Sequence, residues 1–140
     1  MLYLCQVCTI WLYTKLKVSM PTFISGNKKY HNPVEFALEK IGGRWKMPIL
    51  WRISKKSPWR YGELKKDLEG ISHKMLSAQL KELEKDGLIK RKSYPVVPPK
   101  VEYSLTPKGR EVIPAIEELR RVGNFLKGKD LTEKSDIKKI

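Results

Sequence analysis

Cysteine and histidine are both scarce in this chain of 140 residues, and their scarcity removes much chemistry at once. Cys5 and Cys8 form a C-x-x-C near the start; no third cysteine follows, and His31 and His73 are the only histidines. A structural zinc site wants four ligands at close spacing, so no metal is expected. A redox C-x-x-C belongs at a strand-to-helix junction, and no such context is evident around these two. There is no disulfide framework, which fits a reducing, cytoplasmic setting. The chain also lacks a glycine-rich phosphate loop and a histidine placed to activate a nucleophile, so neither catalysis nor a cofactor is expected.

Acidic residues are in short supply too. Fifteen Asp and Glu face twenty-nine Lys and Arg, giving +14 and a pI near 9.8. Such an excess points to a polyanionic partner, nucleic acid or an anionic membrane surface. The first nineteen residues contribute only Lys15 and Lys17 to that excess, so the body of the chain carries it.

Long hydrophobic runs are missing as well. Met1 to Trp11 is apolar and uncharged but too short to span a bilayer. A signal peptide would place its cations before the apolar run, whereas Lys15 and Lys17 come after it. No membrane partner is therefore expected. Met20 precedes the first recognisable element, and residues 1–19 read as an N-terminal extension, upstream of an alternative start or added as packing for a partner. A single domain is expected over 20–127, followed by a Lys-rich tail over 128–140.

What remains is a well-punctuated series of elements. Asn32-Pro33-Val34-Glu35 has the form of a capped helix start, and Val34, Ala37, Leu38 and Ile41 recur at helical spacing, predicting one buried face. Gly42-Gly43 ends that helix. A second follows from about Arg44 to Ile53, with Pro48 in its first turns, where a missing N–H is tolerated; its Trp45 and Trp51 read as core or interface aromatics. Tyr61 to Leu68 is a short helix ending at Gly70. Ser72 then caps a helix in which Leu76, Leu80 and Leu83 repeat, closed by Gly87. Two short helices across a glycine turn make the helix-turn-helix pattern. Leu88–Tyr94 and Val101–Leu105 read as a hairpin whose loop is stiffened by Pro95, Pro98 and Pro99. Thr106-Pro107 opens a long helix carrying Val112, Ile116, Leu119, Val122 and Leu126 on one face, with Pro114 expected to kink it.

The helix from Ser72 carries the functional argument. With Leu76 at zero, Leu80 and Leu83 fall at about 40° and about −20°, while Ser77, Lys81, Lys74 and Ala78 fall between about 100° and about 200°. The exposed face is basic, small and hydrogen-bonding, as major-groove reading requires. The hairpin adds Lys90, Arg91, Lys92 and Lys100, a second basic element suited to phosphate or the minor groove. Arg60 is a further phosphate candidate, and His73 faces a base, a phosphate or solvent.

Three segments together resemble the HxlR-type regulators: IGGRWKMPIL (Ile41 to Leu50), GELKKDLEGISHKMLSAQLKELEKDGLI (Gly62 to Ile89) and YPVVPPKVEYSLTPKG (Tyr94 to Gly109). The likeness runs from about Asn32 to about Gly123; each motif is weak alone and specific in combination. It implies an α+β, mainly α fold: a winged helix-turn-helix with a two-stranded β-hairpin wing and extra N- and C-terminal dimerisation helices. It implies a homodimer on palindromic operator DNA, with Ser72, His73, Lys74, Ser77 and Lys81 in the major groove and Lys100 near the wing. The expected dimer residues are Val34, Leu38, Val112, Ile116, Leu119, Val122 and Leu126. Many members of the family place a reactive cysteine just before the first helix's proline; here that residue is Asn32, and an amide cannot act as a thiol sensor. Two alternatives stay open: a basic nucleic-acid binder without operator specificity, and a regulator that also takes a small-molecule effector between its dimer helices.

Overall fold

The computed structural model describes residues 22–128, which form two compact units parting between Glu39 and Lys40. Residues 1–19 and the tail beyond 128, with Cys5 and Cys8, lie outside the described residues.

In the first unit, β1 (Phe23–Ser25) and β2 (Lys28–Tyr30) pair as an antiparallel hairpin that the sequence pattern does not predict. Phe23, Tyr30 and Phe36 form an aromatic cluster with ring centroids 5.0–5.4 Å apart, and the Tyr30 hydroxyl donates to Glu39 at 2.8 Å. Helix α1 (Pro33–Ile41) starts as its sequence indicates. Asn32 Oδ1 accepts the Glu35 N–H at 2.8 Å, and the Glu35 carboxylate reaches back to the His31 N–H at 2.8 Å. Its apolar stripe departs from expectation: only Ile41 is buried, while Val34 is 53% and Leu38 49% exposed. Periodicity reveals an apolar face but not what covers it.

The second unit begins with α2 (Lys46–Lys55), whose third residue is Pro48, where no intrahelical donor is lost. A two-residue strand β3 (Trp59–Arg60) leads into α3 (Tyr61–Asp67), and Gly70, at φ +83°, makes the turn into α4 (His73–Lys85). An L-residue adopts that φ only at a cost, so glycine suits the bend between the two helices. Ser72 caps α4 by accepting the Met75 N–H at 3.1 Å. Leu76, Leu80 and Leu83 are buried, together with Ile49, Leu50, Ile53 and Leu64.

Strands β4 (Ile89–Tyr94) and β5 (Lys100–Leu105) form the hairpin, with Arg91 opposite Tyr103 and Lys92 opposite Glu102. The two-stranded hairpin wing is present as expected, and β3 adds to it by pairing with the other edge of β5, giving the order β3-β5-β4. Trp59 fixes this arrangement by donating its indole N–H to the Arg52 carbonyl at 2.8 Å. Helix α5 (Pro107–Lys127) is capped by Thr106, which accepts the Gly109 N–H at 3.0 Å and donates to the Gly87 carbonyl at 2.6 Å. The helix runs continuously through Pro114. Lys46, 8% exposed, meets Glu82 at 2.8 Å and so ties α2 to α4. The order of helices followed by a hairpin is the winged helix-turn-helix arrangement in an α+β fold.

Candidate nucleic-acid interface

Helix α4 turns its leucines into the core, so its opposite side is open by geometry. Ser72, His73, Lys74, Ala78 and Lys81 are exposed and Ser77 half-buried. Beside this face, a cleft of about 970 Å³ separates α4 from the wing. Arg60, Ser77, Lys81, Arg91 and Lys100 line it, so five of the nine residues expected at DNA share one concavity. Ser72, His73 and Lys74 stand at the N-terminal end of α4, outside that lining. Lys92 lies on the opposite face of the hairpin from Arg91, because adjacent strand residues alternate sides.

The electrostatics of the cleft are mixed. Lys100 Nζ is 3.0 Å from Glu102 and 4.8 Å from the Tyr94 ring centroid. That hydrogen bond holds the Glu102 carboxyl below the ordinary carboxylate range; burial opposes the shift, and a second bond from Tyr94 reinforces it. Lys100 is thus partly neutralised within the chain. Burial pushes the Tyr103 phenol up, with a hydrogen bond from Arg91 acting the other way. The Lys56 ammonium, 3.0 Å from the Glu63 carboxylate, draws that carboxyl down, the Arg60 N–H at 3.4 Å adds to the effect, and burial opposes it. Glu63 and Glu84 are the acids of the cleft.

Sequence reasoning missed Tyr61. Its hydroxyl lies 3.1 Å from His73 Nδ1 and 3.2 Å from Ser77 Oγ, joining α3 to two residues of the exposed face of α4. No local signal marks such a contact, which spans twelve and sixteen residues. Nor does periodicity mark the wing tip, where Val97 is 99% exposed.

The expected dimer residues divide. Val34 and Leu38 on α1, and Leu119, Val122 and Leu126 on α5, are exposed. Val112 is half-buried against the core, and Ile116, 6% exposed, belongs to the core itself. Ile116 is therefore taken up by its own protomer. Among the described residues there is no group of histidine, cysteine or carboxylate able to hold a metal ion, and no helix is long and apolar enough to cross a membrane.

Comparison with known proteins agrees with this geometry. The family model HxlR-like helix-turn-helix matches residues 40–130. The HTH-type transcriptional regulator BH0655 of Halalkalibacterium halodurans is 54% identical over 87 residues, covering 62% of this chain and 77% of its own. A solved chain from Porphyromonas gingivalis W83 assigned to the MarR family superposes with a TM-score of 0.64 at 43% identity, over 78% of this chain and 99% of that one. The redox regulator HypR in its reduced form gives a TM-score of 0.65 at 40% identity, over 69% and 94%. The chain belongs to the HxlR-like helix-turn-helix family: it is a DNA-binding transcriptional regulator and not an enzyme.

Proposed function

We propose that the protein acts as a homodimer on a palindromic operator, inserting α4 into the major groove and laying the wing along the backbone. The observation that carries the dimer is the apolar face left open on α5, with a second one left open on α1. Val34, Leu38, Leu119, Val122 and Leu126 all stand 40% or more exposed at helical spacing. A two-fold dimer covers the same residues on both copies, and its symmetry matches two half-sites about one DNA turn apart. In this reading Lys74, Ser77 and Lys81 read base edges, with Ser72 and His73 at the entry of the helix. Arg60, Arg91, Lys92 and Lys100 act on phosphate. The domain, in the same reading, covers 20–127, with extensions on either side.

Sedimentation and gel-shift titration test this together. A dimer at micromolar concentration, with operator preferred over random duplex at fixed salt, is expected. A monomer that still binds operator fully would overturn the dimer. Equal affinity for operator and random DNA would instead favour a non-specific basic binder. One solved relative is a redox regulator. On this chain thiol sensing could rest only on Cys5 and Cys8, because Asn32 stands at the position the family gives to a cysteine.

A further inference from the structure

The tip of the wing differs in chemistry from the basic surface around it. From Ser93 to Pro99 the chain carries no charge. Val97 is 99% and Val96 50% exposed, and Pro95, Pro98 and Pro99 are exposed as well. The tip also has few donors: its prolines have no N–H, and the Val96 N–H is taken by the Tyr94 carbonyl at 2.9 Å. The cations are set back along the strands. Arg91 stands on one face of the hairpin, Lys90 and Lys92 on the other, and Lys100 at the start of β5.

The cleft beside α4 indicates where this tip goes. Ser77 and Lys81 of α4 line one side of it, and Val96, Val97 and the two prolines after them line another. Arg60, Lys81, Arg91 and Lys100 bring four cations to the same lining, which suits a phosphate backbone. Each backbone of a duplex separates a major groove from a minor one. With α4 in the major groove and the backbone in the cleft, the tip stands over the adjoining minor groove.

We propose that Val97 is a specificity-determining residue: it enters that minor groove and rejects G·C pairs there by their exocyclic amino group. The proposal rests on the reading above in which α4 occupies the major groove. Every base pair presents acceptors on the minor-groove floor, and these cancel in a comparison of sequences. Only G·C adds a donor, the guanine N2 amino group. A valine cannot accept from that group and displaces the water that does, so the donor is left unpaired. An arginine at the tip would read the narrow groove by charge; valine reads it by shape. The cations on the two faces of the hairpin meet the phosphate rows on either side of the groove and hold the tip in place. The preference therefore falls on a base pair that no α4 side chain touches.

Inosine isolates this contact, because an I·C pair is a G·C pair without the amino group and keeps the same major-groove edge. The test is a gel-shift titration of the full-length protein on a duplex that it selects from a randomised library. Each pair beside the α4 contacts is changed in turn to A·T, I·C and G·C. At one position in each half-site, A·T and I·C should bind alike and G·C about fivefold to tenfold more weakly. Val97→Gly should level the three. Val97→Thr keeps the shape and adds a hydroxyl that can accept from the amino group, so it should bring G·C to within about twofold of I·C. Circular dichroism melts of both variants should overlay the wild type, since the side chain is exposed. Equal binding of G·C and I·C at every position would overturn the proposal. Discrimination that persists unchanged in Val97→Gly would do the same, and would leave the tip to a protein partner. A library that yields no preferred sequence would remove the operator reading by itself. Alternating G·C and I·C duplexes then decide the matter, with I·C expected about fivefold tighter for the wild type and equal for Val97→Gly; equal binding by the wild type would overturn the role of Val97.

Discussion

Tyr61 lies against His73, ring centroids 5.9 Å apart and planes 20° from parallel, and its hydroxyl meets His73 Nδ1 at 3.1 Å. The same oxygen is 3.2 Å from Ser77 Oγ. One phenol on α3 therefore holds the first and fifth residues of α4, which are neighbours on its exposed face. Tyr61→Phe keeps the ring and removes the tether. The expected outcome is little change in thermal stability, since all three groups are near the surface. Discrimination between operator and single-base variants should fall about threefold to tenfold, while the salt dependence stays unchanged. A binding-site selection on both proteins checks this. An unaltered base preference would mean that Tyr61 does not position the reading face.

The wing cations should not be equivalent. Arg91 faces the cleft beside Tyr103, whereas Lys100 is held by Glu102. Arg91→Ala should lower the slope of log K against log salt by about one. Lys100→Ala should do less, because its charge is already partly balanced. Glu102→Gln should strengthen binding to every duplex, specific or not, by about twofold to fivefold. Glu102 has a depressed folded-state pKa, so its ion pair contributes fully above the ordinary carboxylate range and is lost as pH falls through the lowered value. At neutral pH the pair is therefore intact, and the variant effect should be flat from pH 6 to 8. Titrations at several salt concentrations decide the order; Lys100→Ala matching Arg91→Ala would refute it.

Gly109 is a steric requirement rather than a flexible joint. A Cβ there would sit 2.0 Å from the Leu88 carbonyl oxygen and 3.2 Å from Leu105. The close approach arises because Thr106 anchors the start of α5 to the end of the α4–β4 turn, through Gly87 and through its own N–H to the Leu88 carbonyl at 3.1 Å. Gly109→Ala should cost about 3 kcal/mol in urea unfolding, since backbone atoms must give way. Gly123→Ala, with open space around it and helical φ, should be neutral or stabilising by a few tenths of a kcal/mol. Equal effects at the two sites would contradict this packing.

Much of the fold was legible because caps and periods act locally. Ser72, Thr106-Pro107 and Asn32-Pro33 each mark a helix start with a side-chain acceptor that needs no tertiary partner, and all three accept the expected N–H. Leu76, Leu80 and Leu83 at helical spacing gave the core face of α4, and with it the exposed one. Strand β3 was not legible: two residues have no period, and Trp59–Arg60 is a strand only because β5 offers a free edge. The β1–β2 hairpin, with three-residue strands, fails for the same reason. At the candidate interface, charge on the hairpin was readable but its division between faces was not taken from the alternation of Arg91 and Lys92. Tyr61 was beyond reach, since its role exists only once α3 and α4 pack.

The last prediction concerns thiols. Asn32 stands where many members of the family carry a reactive cysteine, and here its Oδ1 accepts the Glu35 N–H at 2.8 Å as the cap of α1. No cysteine occurs from Met20 to the end of the chain. The full-length Cys5→Ser/Cys8→Ser protein should therefore bind operator with one isotherm before diamide, after diamide and after dithiothreitol. Methionine is the remaining oxidisable group near the reading helix: Met75 is 42% exposed, but a thioether does not react as a thiolate does and dithiothreitol does not restore its sulfoxide. A loss of affinity that diamide causes and dithiothreitol reverses in the serine variant would refute the claim. The same reversible loss confined to the wild-type chain would assign redox sensing to Cys5 and Cys8. Asn32→Cys adds a converse test. It should install a diamide-reactive thiol and, by removing the cap, cost about 1 kcal/mol of stability. If that variant becomes oxidant-responsive while the serine protein does not, residue 32 alone separates the two kinds of regulator.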